Sequence, residues 1–419
     1  MRAFRYRWFA CGRYERNEKI MNDKIRVLSI SSMFPNLRMP VHAQFVKQRL
    51  DALSQYVDLT VISPIPWFPG EKLISRYCNR HEIPIATNQN YYPTFFPKFF
   101  SIPAILKPLE GLFMAYSVYA WVRKYNKPDN FDLIDCHLGF PDGYAGALLA
   151  KILKKPFVVT LRGHDINELY KYPIRIRQVI FALRKCSRFF GVSQALVDGA
   201  VKLGAPAEKG CRSANGVDSR RFFPSDRQVT QTQLGLDPQL QYMVSVSHIV
   251  KRKGNDILIR ALAILRKKGY SKLRYIIVGA GGNEEGDFSG FLKKLAAELG
   301  VSEYIHWIGA VENTKLHRYY SAADISCLAS EKEGWPNVIL ESMACGTPVV
   351  AHSTWGVPEI ITSENLGFLV ENRTPEAFAD AIERGLAKTW DRDAIVAYAK
   401  DHSWDNTAQE LFKHFTEIV

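Results

Sequence analysis

Residues 333–350 read Glu333-Gly-Trp-Pro-Asn-Val-Ile-Leu-Glu341, then Ser342-Met-Ala-Cys-Gly-Thr-Pro-Val-Val350. The preceding run 323–330 is predicted to be a strand, and Pro336 suits the first position of a new helix. Such a helix start offers free backbone N–H groups and a positive dipole end to a diphosphate. Glu333 would lie in the loop after the strand, and Glu341 could reach a vicinal diol such as a ribose. The alternative is an ordinary strand–loop–helix unit with solvated glutamates.

The same stretch resembles the retaining glycosyltransferases of family four, whose E-x7-E signature is followed by a helix of small residues, G-T-P-V-V and G-x-x-E. The match continues through Gly356, Pro358, Glu359 and Ile360. With weaker landmarks, the resemblance extends over most of the chain from about residue 25. It implies an α/β GT-B fold, in which two Rossmann-like domains with parallel sheets face each other across a cleft. The C-terminal domain would hold the sugar nucleotide.

Size and patterning agree with two α/β domains. At 419 residues and 47% hydrophobic side chains, the chain exceeds the size at which a single core stops growing. Short apolar runs alternate with helical periods in both halves, which is the pattern of parallel sheets. The predicted strands are 24–31, 57–63, 133–136, 157–160, 188–192, 242–246, 274–278, 305–308, 325–328 and 348–351, and a helix is predicted over 43–53.

The domain boundaries that we predict follow from these patterns and from the resemblance. The run 223–240 has weak periodicity and suits an interdomain connection. The division is residues 1–22 for a basic N-terminal extension, 23–225 for an acceptor-binding Rossmann-like domain, 226–240 for a linker, 241–400 for a nucleotide-sugar-binding Rossmann-like domain, and 401–419 for a C-terminal helix that packs back towards the N-terminal domain.

Cysteine usage and hydropathy indicate where the protein works. The seven cysteines are scattered, odd in number and without C-x-x-C spacing, which favours a reducing, cytosolic compartment. The longest apolar run, 111–122, is far shorter than the roughly 20 residues that cross a bilayer. Residues 1–20 are Arg-rich and lack the apolar core of a secretory signal. They either precede a true start at Met21 or form a basic arm that touches a membrane.

Charge is unevenly divided along the chain. Residues 1–225 carry 34 Lys and Arg against 17 Asp and Glu, whereas residues 226–419 carry 21 against 25. Residues 171–188 interleave six basic and several apolar side chains with no acid, which predicts a basic amphipathic helix on an anionic membrane. The apolar stretches 95–100 and 103–121 either extend this face or belong to the core. A basic surface without a partner is the alternative. The expected location is cytoplasmic, on the inner face of the cell membrane.

The donor site would include a loop after strand 242–246. Residues 246–254 resemble the family segment that sets an Arg and a Lys against the donor diphosphate; Lys253 matches the lysine, and His248 replaces the arginine. Gly279 belongs to a glycine turn that lacks the third glycine of a dinucleotide fingerprint, which argues against an NAD site. The predicted donor-binding residues are His248, Lys253, Gly279, Glu333, Gly334, Trp335, Pro336, Asn337, Val338 and Glu341.

The acceptor side would come from the N-terminal half. The loop and helix around residues 33–46 resemble the family's first loop, but His42 stands where many members have glycine. His137 and the loop 139–143 resemble a cleft-facing acceptor segment, although a histidine on a strand is often structural. The predicted acceptor residues are His42 and His137.

A second N-terminal landmark, residues 160–165, resembles the family's T-x-H-G-x-D loop. Arg162 occupies the histidine position of that loop, and His164 follows it. Arg162 can stabilise an anion or orient sugar hydroxyls, but it stays protonated and cannot act as a base. His164 and Asp165 are candidates for orienting the acceptor. The predicted catalytic residues are Glu333, Lys253, Arg162, His164 and Asp165.

Two further motifs are predicted to have local roles. Ser193, in Gly191-Val-Ser-Gln-Ala195, comes near a G-x-S-x-G nucleophile elbow but fits better as the N-cap of a helix. The D-x-D at Asp391 and Asp393 falls in a late helical segment, and no His/Cys cluster has the spacing of metal ligands. We therefore expect no metal and no cofactor, with Lys253 and helix N–H groups neutralising the diphosphate.

These features predict a retaining glycosyltransferase that moves a sugar from a UDP- or GDP-type donor to a hydroxyl of a lipid-linked saccharide in polysaccharide biosynthesis. The resemblance implies front-face attack, with a donor phosphate oxygen taking the acceptor proton. The predicted partners are this donor, a lipid-linked or saccharide acceptor and an anionic membrane surface, with no nucleic acid. The alternatives are a GT-B sugar-nucleotide epimerase and a non-catalytic, basic nucleic-acid-binding protein; the sequence lacks the modules of the latter.

Overall fold

The computed structural model describes residues 24–40, 42–74, 80, 82–87, 91–125, 130–281 and 286–419. Within these ranges, one sheet of eight strands lies between residues 26 and 212, and a second sheet of six strands lies between residues 241 and 370. Helices pack against both sheets, which confirms the predicted α/β class with two Rossmann-like halves. The N-terminal extension predicted for residues 1–22 lies outside the described residues.

The first half alternates strands and helices with a short strand pair inserted. Its strands are β1 (Arg26–Ile30), β2 (Asp58–Ile62), β3 (Ile65–Trp67), β4 (Ala86–Thr87), β5 (Thr94–Phe95), β6 (Lys98–Phe100), β7 (Leu133–Cys136), β8 (Phe157–Leu161), β9 (Arg188–Gly191) and β10 (Gly210–Arg212). Its helices are α1 (Gln44–Leu53), α2 (Glu110–Tyr125), α3 (Tyr144–Leu153), α4 (His164–Asn167), α5 (Pro173–Lys185) and α6 (Gln194–Lys202). Helix α7 (Arg227–Gln233) follows this half.

The second half repeats the alternation with more regular spacing. Its strands are β11 (Gln241–Val246), β12 (Leu273–Val278), β13 (Ile305–Gly309), β14 (Ile325–Leu328), β15 (Val349–His352) and β16 (Gly367–Val370). Its helices are α8 (Asn255–Lys267), α9 (Ser289–Glu298), α10 (Leu316–Ala322), α11 (Asn337–Ala344), α12 (Pro375–Ala387), α13 (Arg392–Asp401) and the last helix, α14 (Trp404–Thr416).

The strand order of each sheet reverses near the centre of the sheet. The first sheet runs β10-β9-β8-β7-β1-β2-β5-β4, and the second runs β13-β12-β11-β14-β15-β16. Strands β4 and β5 pair antiparallel, and the other neighbours pair parallel. The order reverses between β1 and β7 and between β11 and β14. Ligands of open parallel sheets bind outside the carboxyl ends of the strands at such switch points. The topology therefore points to the loops after these four strands.

The central strands are hydrophobic because both faces of each sheet are covered. Every residue of β7, β8 and β14 is buried, as expected for parallel strands between two helical layers. The apolar segment 95–100 contributes to this core, because Phe96 and Phe99 are buried.

The last helix returns to the first sheet. Trp404, Leu411 and Phe415 of α14 share a hydrophobic core with residues of α1. Tyr56, which follows α1, stacks on Phe412 with ring centroids 5.8 Å apart and donates a hydrogen bond of 2.8 Å to Asp405. The domain boundaries proposed from the sequence remain predictions.

The structure refines the sequence-based secondary structure in a few places. Each predicted strand is present within two residues of its predicted ends, but β10, β16 and the short strands β3 to β6 were not predicted. Helix α11 begins at Asn337, so Pro336 is its N-cap residue and not its first helical residue. Ser193 caps α6, its hydroxyl accepting a hydrogen bond of 3.3 Å from the N–H of Leu196, which confirms the cap interpretation.

Candidate active site in the cleft

Loops from the two sheets meet at the carboxyl ends of their strands. The loop after β8 carries Arg162 and Gly163, and the loop after β14 carries Glu333 and Gly334. A Cβ atom placed on Gly334 would lie only 2.8 Å from the carbonyl oxygen of Arg162. Glycine is therefore needed at 334 for the two backbones to approach this closely. The contact brings the predicted donor loop and the predicted acceptor loop together.

Glu333 and Lys253 form an ion pair inside the second domain. Their side chains are only 12% and 14% exposed, and Lys253 Nζ lies 2.5 Å from Glu333 Oε1. Burial favours the neutral acid, but the Lys253 ammonium outweighs it, so the pKa of the Glu333 carboxyl lies below its ordinary value. The structure thus unites two of the predicted catalytic residues, one from the loop after β11 and one from the loop after β14.

Glu341 lies on α11 and is partly buried. Its carboxylate accepts a hydrogen bond of 3.1 Å from the hydroxyl of Tyr320, a buried residue of α10. Burial raises the pKa of Glu341 to about 7, an effect that the Tyr320 hydrogen bond opposes. A carboxyl group accepts hydrogen bonds from a diol whether or not it is protonated, so Glu341 can bind a diol on either side of its pKa.

The residues at the start of α11 differ in exposure. Trp335 and Pro336 are buried, whereas Asn337 and Val338 are partly exposed. The guanidinium of Arg212, from the first domain, lies 5.7 Å from the centre of the Trp335 ring. The N-terminus of α11 is thus fixed against the first domain while its first residues remain accessible.

His248 and Gly279 lie in neighbouring loops after β11 and β12. His248 is exposed, and its carbonyl oxygen accepts a hydrogen bond of 2.9 Å from Val250 N–H. Gly279 adopts φ = +141°, and a Cβ atom there would collide with the carbonyl oxygen of Ser247. Glycine is required at this position because these loops pack backbone to backbone. Both predicted residues are therefore placed on the rim formed by β11 and β12.

Arg162 is held by side chains of its own domain. Its guanidinium lies 2.9 Å from His137 Nδ1 and donates a hydrogen bond of 2.8 Å to Asn215. His137 is fully buried, and its Nε2 lies 2.9 Å from a carboxylate oxygen of Asp135. Burial lowers the pKa of His137, although Asp135 opposes the shift. His137 therefore lies behind Arg162 and not on the surface of the cleft, contrary to the acceptor role predicted for it.

The other residues predicted on the acceptor side have different environments. Asp165 is buried and accepts hydrogen bonds from the backbone N–H groups of Gly139 and Arg162, at 2.5 and 2.7 Å. This carboxylate shapes the loop, and its bonds argue against a direct role with the acceptor. His164 is exposed at the start of α4. His42 is partly exposed in the turn before α1, where its N–H donates to the Met39 carbonyl at 3.2 Å.

Several residues of the site were not predicted from the sequence. Asn215 donates a hydrogen bond of 3.1 Å to Asn337, the first residue of α11, and so bridges the two domains. Asp135 lies beside His137, and Tyr320 donates a hydrogen bond to Glu341. Asn215 lies in an Asn-Gly turn that predicts a turn only, and the other two lie within a strand and a helix without any motif.

The described residues also bear on metal binding and on membrane insertion. In the part of the chain that the structure describes, no group of three or more His, Cys, Asp and Glu side chains could hold a metal ion. Asp391, from the D-x-D motif, instead caps α13 by accepting a hydrogen bond of 2.9 Å from Ala394 N–H. Among the described helices, none is long and apolar enough to cross a membrane.

Comparison with known proteins places this geometry in a family. The model of Glycosyltransferase Family 4 matches residues 51–221, and that of Glycosyl transferases group 1 matches residues 226–402. An uncharacterised glycosyltransferase of Methanocaldococcus jannaschii is 28% identical over 297 residues, which cover 67% of this chain and 74% of the relative. A D-inositol 3-phosphate glycosyltransferase of Actinosynnema mirum is 33% identical over 203 residues, 47% of this chain and 49% of the relative.

The chain thus spans about half the length of the Actinosynnema mirum relative. The crystal structure of Anabaena HepE in complex with UDP has a TM-score of 0.71 to this protein at 20% identity, over 94% of this chain and all of HepE. At this identity the likeness shows the fold alone. The two family models match consecutive halves, and the loop after β8 of the first half meets the loop after β14 of the second in one cleft. The chain belongs to the group 1 glycosyltransferases and has the GT-B fold.

Proposed function

We propose that this protein is a retaining glycosyltransferase that moves a sugar from a UDP- or GDP-sugar to a hydroxyl of a lipid-linked saccharide in polysaccharide biosynthesis. The observation that carries the proposal is the largely buried Glu333–Lys253 pair beside the start of α11, with Glu341 on the same helix. A UDP complex of the structurally similar HepE supports a donor of this type.

In this proposal each part of the donor has a partner on the second domain. Glu341 accepts hydrogen bonds from the ribose hydroxyls, and Glu333 accepts them from the sugar. Lys253 and the N–H groups at the start of α11 neutralise the diphosphate as negative charge builds on it. Because Lys253 and Glu333 already lie 2.5 Å apart, the ammonium and the carboxylate can take up adjacent phosphate and sugar groups with little movement.

The acceptor side supports transfer with retention. Inversion needs a base on the face opposite the leaving group. Arg162 cannot accept a proton, His137 is buried behind it, and the Asp165 carboxylate is bound to backbone N–H groups. The exposed His164 is the residue of this loop that a β-linked product would identify as a base. In the proposed step the C1–O bond to the diphosphate breaks and the acceptor oxygen bonds to C1 from the same face. The acceptor proton passes to an oxygen of the departing diphosphate, so atoms and charge balance.

The exposed surface of α5 supports a membrane-bound acceptor. Ile174 and Phe181 are 58% and 42% exposed, and the basic Arg177 and Arg184 lie on the same face at helical spacing. The side chain of Gln178 donates a hydrogen bond of 2.8 Å to the carbonyl of Pro108, which joins α5 to the turn before α2.

That turn adds apolar side chains to the basic face. The large exposed hydrophobic residues of this neighbouring segment are Ile105, Leu106, Leu109, Leu112 and Tyr116. Apolar side chains beside basic ones match an anionic lipid surface, in which the former insert and the latter contact headgroups. We therefore propose that the first domain lies on such a membrane.

The function is tested by incubating the purified protein with UDP-glucose, UDP-N-acetylglucosamine or GDP-mannose and a bacterial lipid extract. We expect one donor to label a lipid, and we expect Glu333→Gln to abolish labelling while the variant stays folded. Proton NMR of the first product should show that an α-linked donor gives an α linkage; a β linkage would contradict retention. An epimerised donor without transfer would identify an epimerase, and binding of RNA without either reaction would contradict the enzyme proposal.

A further inference from the structure

We propose that Asp135 and His137 are positioning residues that act through Arg162, holding its guanidinium as the cation that the first domain brings to the donor diphosphate. This inference rests on the proposed function. It assigns the buried pair behind the cleft a role in transfer instead of acceptor binding.

The proposal begins with a continuous chain of hydrogen bonds. Asp135 lies 2.9 Å from His137 Nε2, and His137 Nδ1 lies 2.9 Å from Arg162 Nη2. Arg162 Nη1 then donates to Asn215 at 2.8 Å, and Asn215 donates to Asn337 at 3.1 Å. This series of hydrogen bonds therefore runs from the centre of the first sheet to the first residue of α11, where the donor diphosphate is proposed to bind.

The donors and acceptors along this chain define the protonation of His137. An arginine can only donate, so Nδ1 of His137 must be an acceptor without a proton. Nε2 then carries the proton of the neutral ring and points it at Asp135 or at Ser29 Oγ, which lies 3.0 Å away. Burial also lowers the pKa of His137, which agrees with a neutral ring. A second proton, on Nδ1, would break the bond to Arg162.

Charge explains why Asp135 is needed. The buried Arg49 lies close enough to repel the Arg162 guanidinium, and burial and this repulsion both lower the pKa of Arg162. Burial raises the pKa of Asp135, but the hydrogen bond from His137 and the charges of Arg49 and Arg162 favour the ionised carboxylate, and the pKa lies below its ordinary value. Asp135 thus offsets the repulsion between the two arginines and lets Arg162 stay charged at the edge of the cleft.

The donor side explains why a second cation is useful. The charge of Lys253 is balanced by Glu333 before any donor binds. A donor diphosphate adds negative charge, which the Lys253–Glu333 pair cannot neutralise because the pair has no net charge. A guanidinium has five N–H donors, and Arg162 uses one of them for His137 and one for Asn215, so it keeps further donors for a phosphate oxygen. The contact of its backbone with Gly334 keeps this arginine beside the donor loop.

A double-mutant experiment tests whether His137 acts through Arg162. Turnover is measured with the sugar nucleotide and lipid extract that give product with the unmodified protein. We expect Arg162→Met to lower kcat about 100-fold or more, as for loss of one preorganised donor. His137→Phe should lower kcat about tenfold, the effect of one hydrogen bond to a charged group, but less than twofold when Arg162 is already Met. Ser29→Ala, which removes the other neighbour of His137, should change kcat less than twofold.

An equal fold-decrease in kcat on His137→Phe with and without the Arg162→Met substitution would overturn the positioning role, because a purely structural residue acts independently of Arg162. If His137→Phe does not fold, nitrogen NMR of the unmodified protein provides a second test. His137 should show an unprotonated Nδ1 and a protonated Nε2 at pH 7, and Arg162→Met should shift the Nδ1 signal. A protonated Nδ1, or an unmoved signal, would overturn the proposal. The expected signals in a protein that transfers no sugar would instead overturn the proposed function.

Discussion

At the scale of single residues, Glu333 and Lys253 depend on each other for their charged states. A buried carboxylate or ammonium is unfavourable alone, and removing one partner leaves the other charge uncompensated. We therefore predict that Lys253→Met lowers the free energy of unfolding by about 3 kcal/mol at pH 8. Lys268→Met, which breaks an exposed ion pair with Glu383, should cost less than about 1 kcal/mol. Urea unfolding of both variants provides the measurement.

The pH dependence of the Lys253→Met effect follows from the pKa of Glu333. In the unmodified protein this pKa is lowered on folding, so the pair stabilises above the unfolded pKa and its contribution is lost as pH falls through the folded pKa. Without Lys253, burial would raise the pKa of Glu333, and acid would relieve the unpaired charge. The difference between the two proteins should therefore shrink from pH 8 to pH 4, and adding Glu333→Gln should recover most of it at pH 8. A constant difference would contradict the buried pair.

The sequence could predict only some of these residues. Glu333 and Glu341 are eight positions apart around one helix start, so a local motif was sufficient to find them. Lys253 follows a separate strand and was identified by resemblance. Asp135 and Asn215 could not be found, because their roles depend on which strands are neighbours in the sheet. His137 was assigned to the acceptor because the sequence predicts its position directly after β7. The sequence does not predict that His137 is completely buried.

At the scale of elements, α5 carries the proposed membrane contact. Its exposed face combines basic and apolar side chains, and each basic residue near an anionic surface contributes about 1 kcal/mol before salt screening. We predict that replacing Arg175, Arg177, Arg184 and Lys185 with Gln releases the protein from vesicles containing phosphatidylglycerol. Co-sedimentation at low and high salt measures this effect.

A control variant with the same change in net charge tests whether the basic face of α5, and not the total charge of the protein, binds the vesicles. Lys267, Lys272, Lys293 and Lys294 are exposed on the second domain, so replacing them removes the same charge elsewhere. This control variant should sediment like the unmodified protein. Equal loss in both variants, or equal binding to vesicles of phosphatidylcholine alone, would contradict a membrane face on α5.

Regular elements were predictable where their periodicity was strong. The buried central strands appear as continuous apolar runs, and each was found within two residues of its ends. The short strands β3 to β6 have two or three residues each, too few for any period to show. They pair through contacts between distant segments, such as Ile65 with Lys98, and such pairing cannot be read from local sequence.

At the scale of the whole molecule, Glu359 joins the two domains. From the second domain it accepts hydrogen bonds of 2.8 and 2.9 Å from the N–H groups of Gln194 and Ala195, at the N-terminus of α6. A carboxylate there satisfies free N–H groups and complements the helix dipole. Glu359→Ala should lower stability by about 1 kcal/mol, as for loss of a helix cap, and calorimetry should show the first domain unfolding at lower temperature.

The control for Glu359 is an exposed glutamate of the same domain. Glu364 pairs with Arg384 within the second domain at 3.0 Å, and its replacement by Ala should change stability by less than about 0.5 kcal/mol. If both variants behave alike, Glu359 does not hold the domains together. The two-domain architecture was predictable from length and alternation, but this bridge arises from residues 164 and 165 positions apart.

Calorimetric titration of UDP and GDP into the protein at pH 8 tests whether the start of α11 holds a sugar nucleotide. This pH is above the pKa of about 7 of Glu341, so its carboxylate is ionised. We predict that one nucleotide binds, with equal affinity when EDTA is present, and that Glu341→Ala weakens binding by about 1–3 kcal/mol. Glu371→Ala, on the exposed surface, should bind normally. Absence of nucleotide binding to the unmodified protein, or equal affinity in Glu341→Ala, would contradict a sugar-nucleotide site at the start of α11.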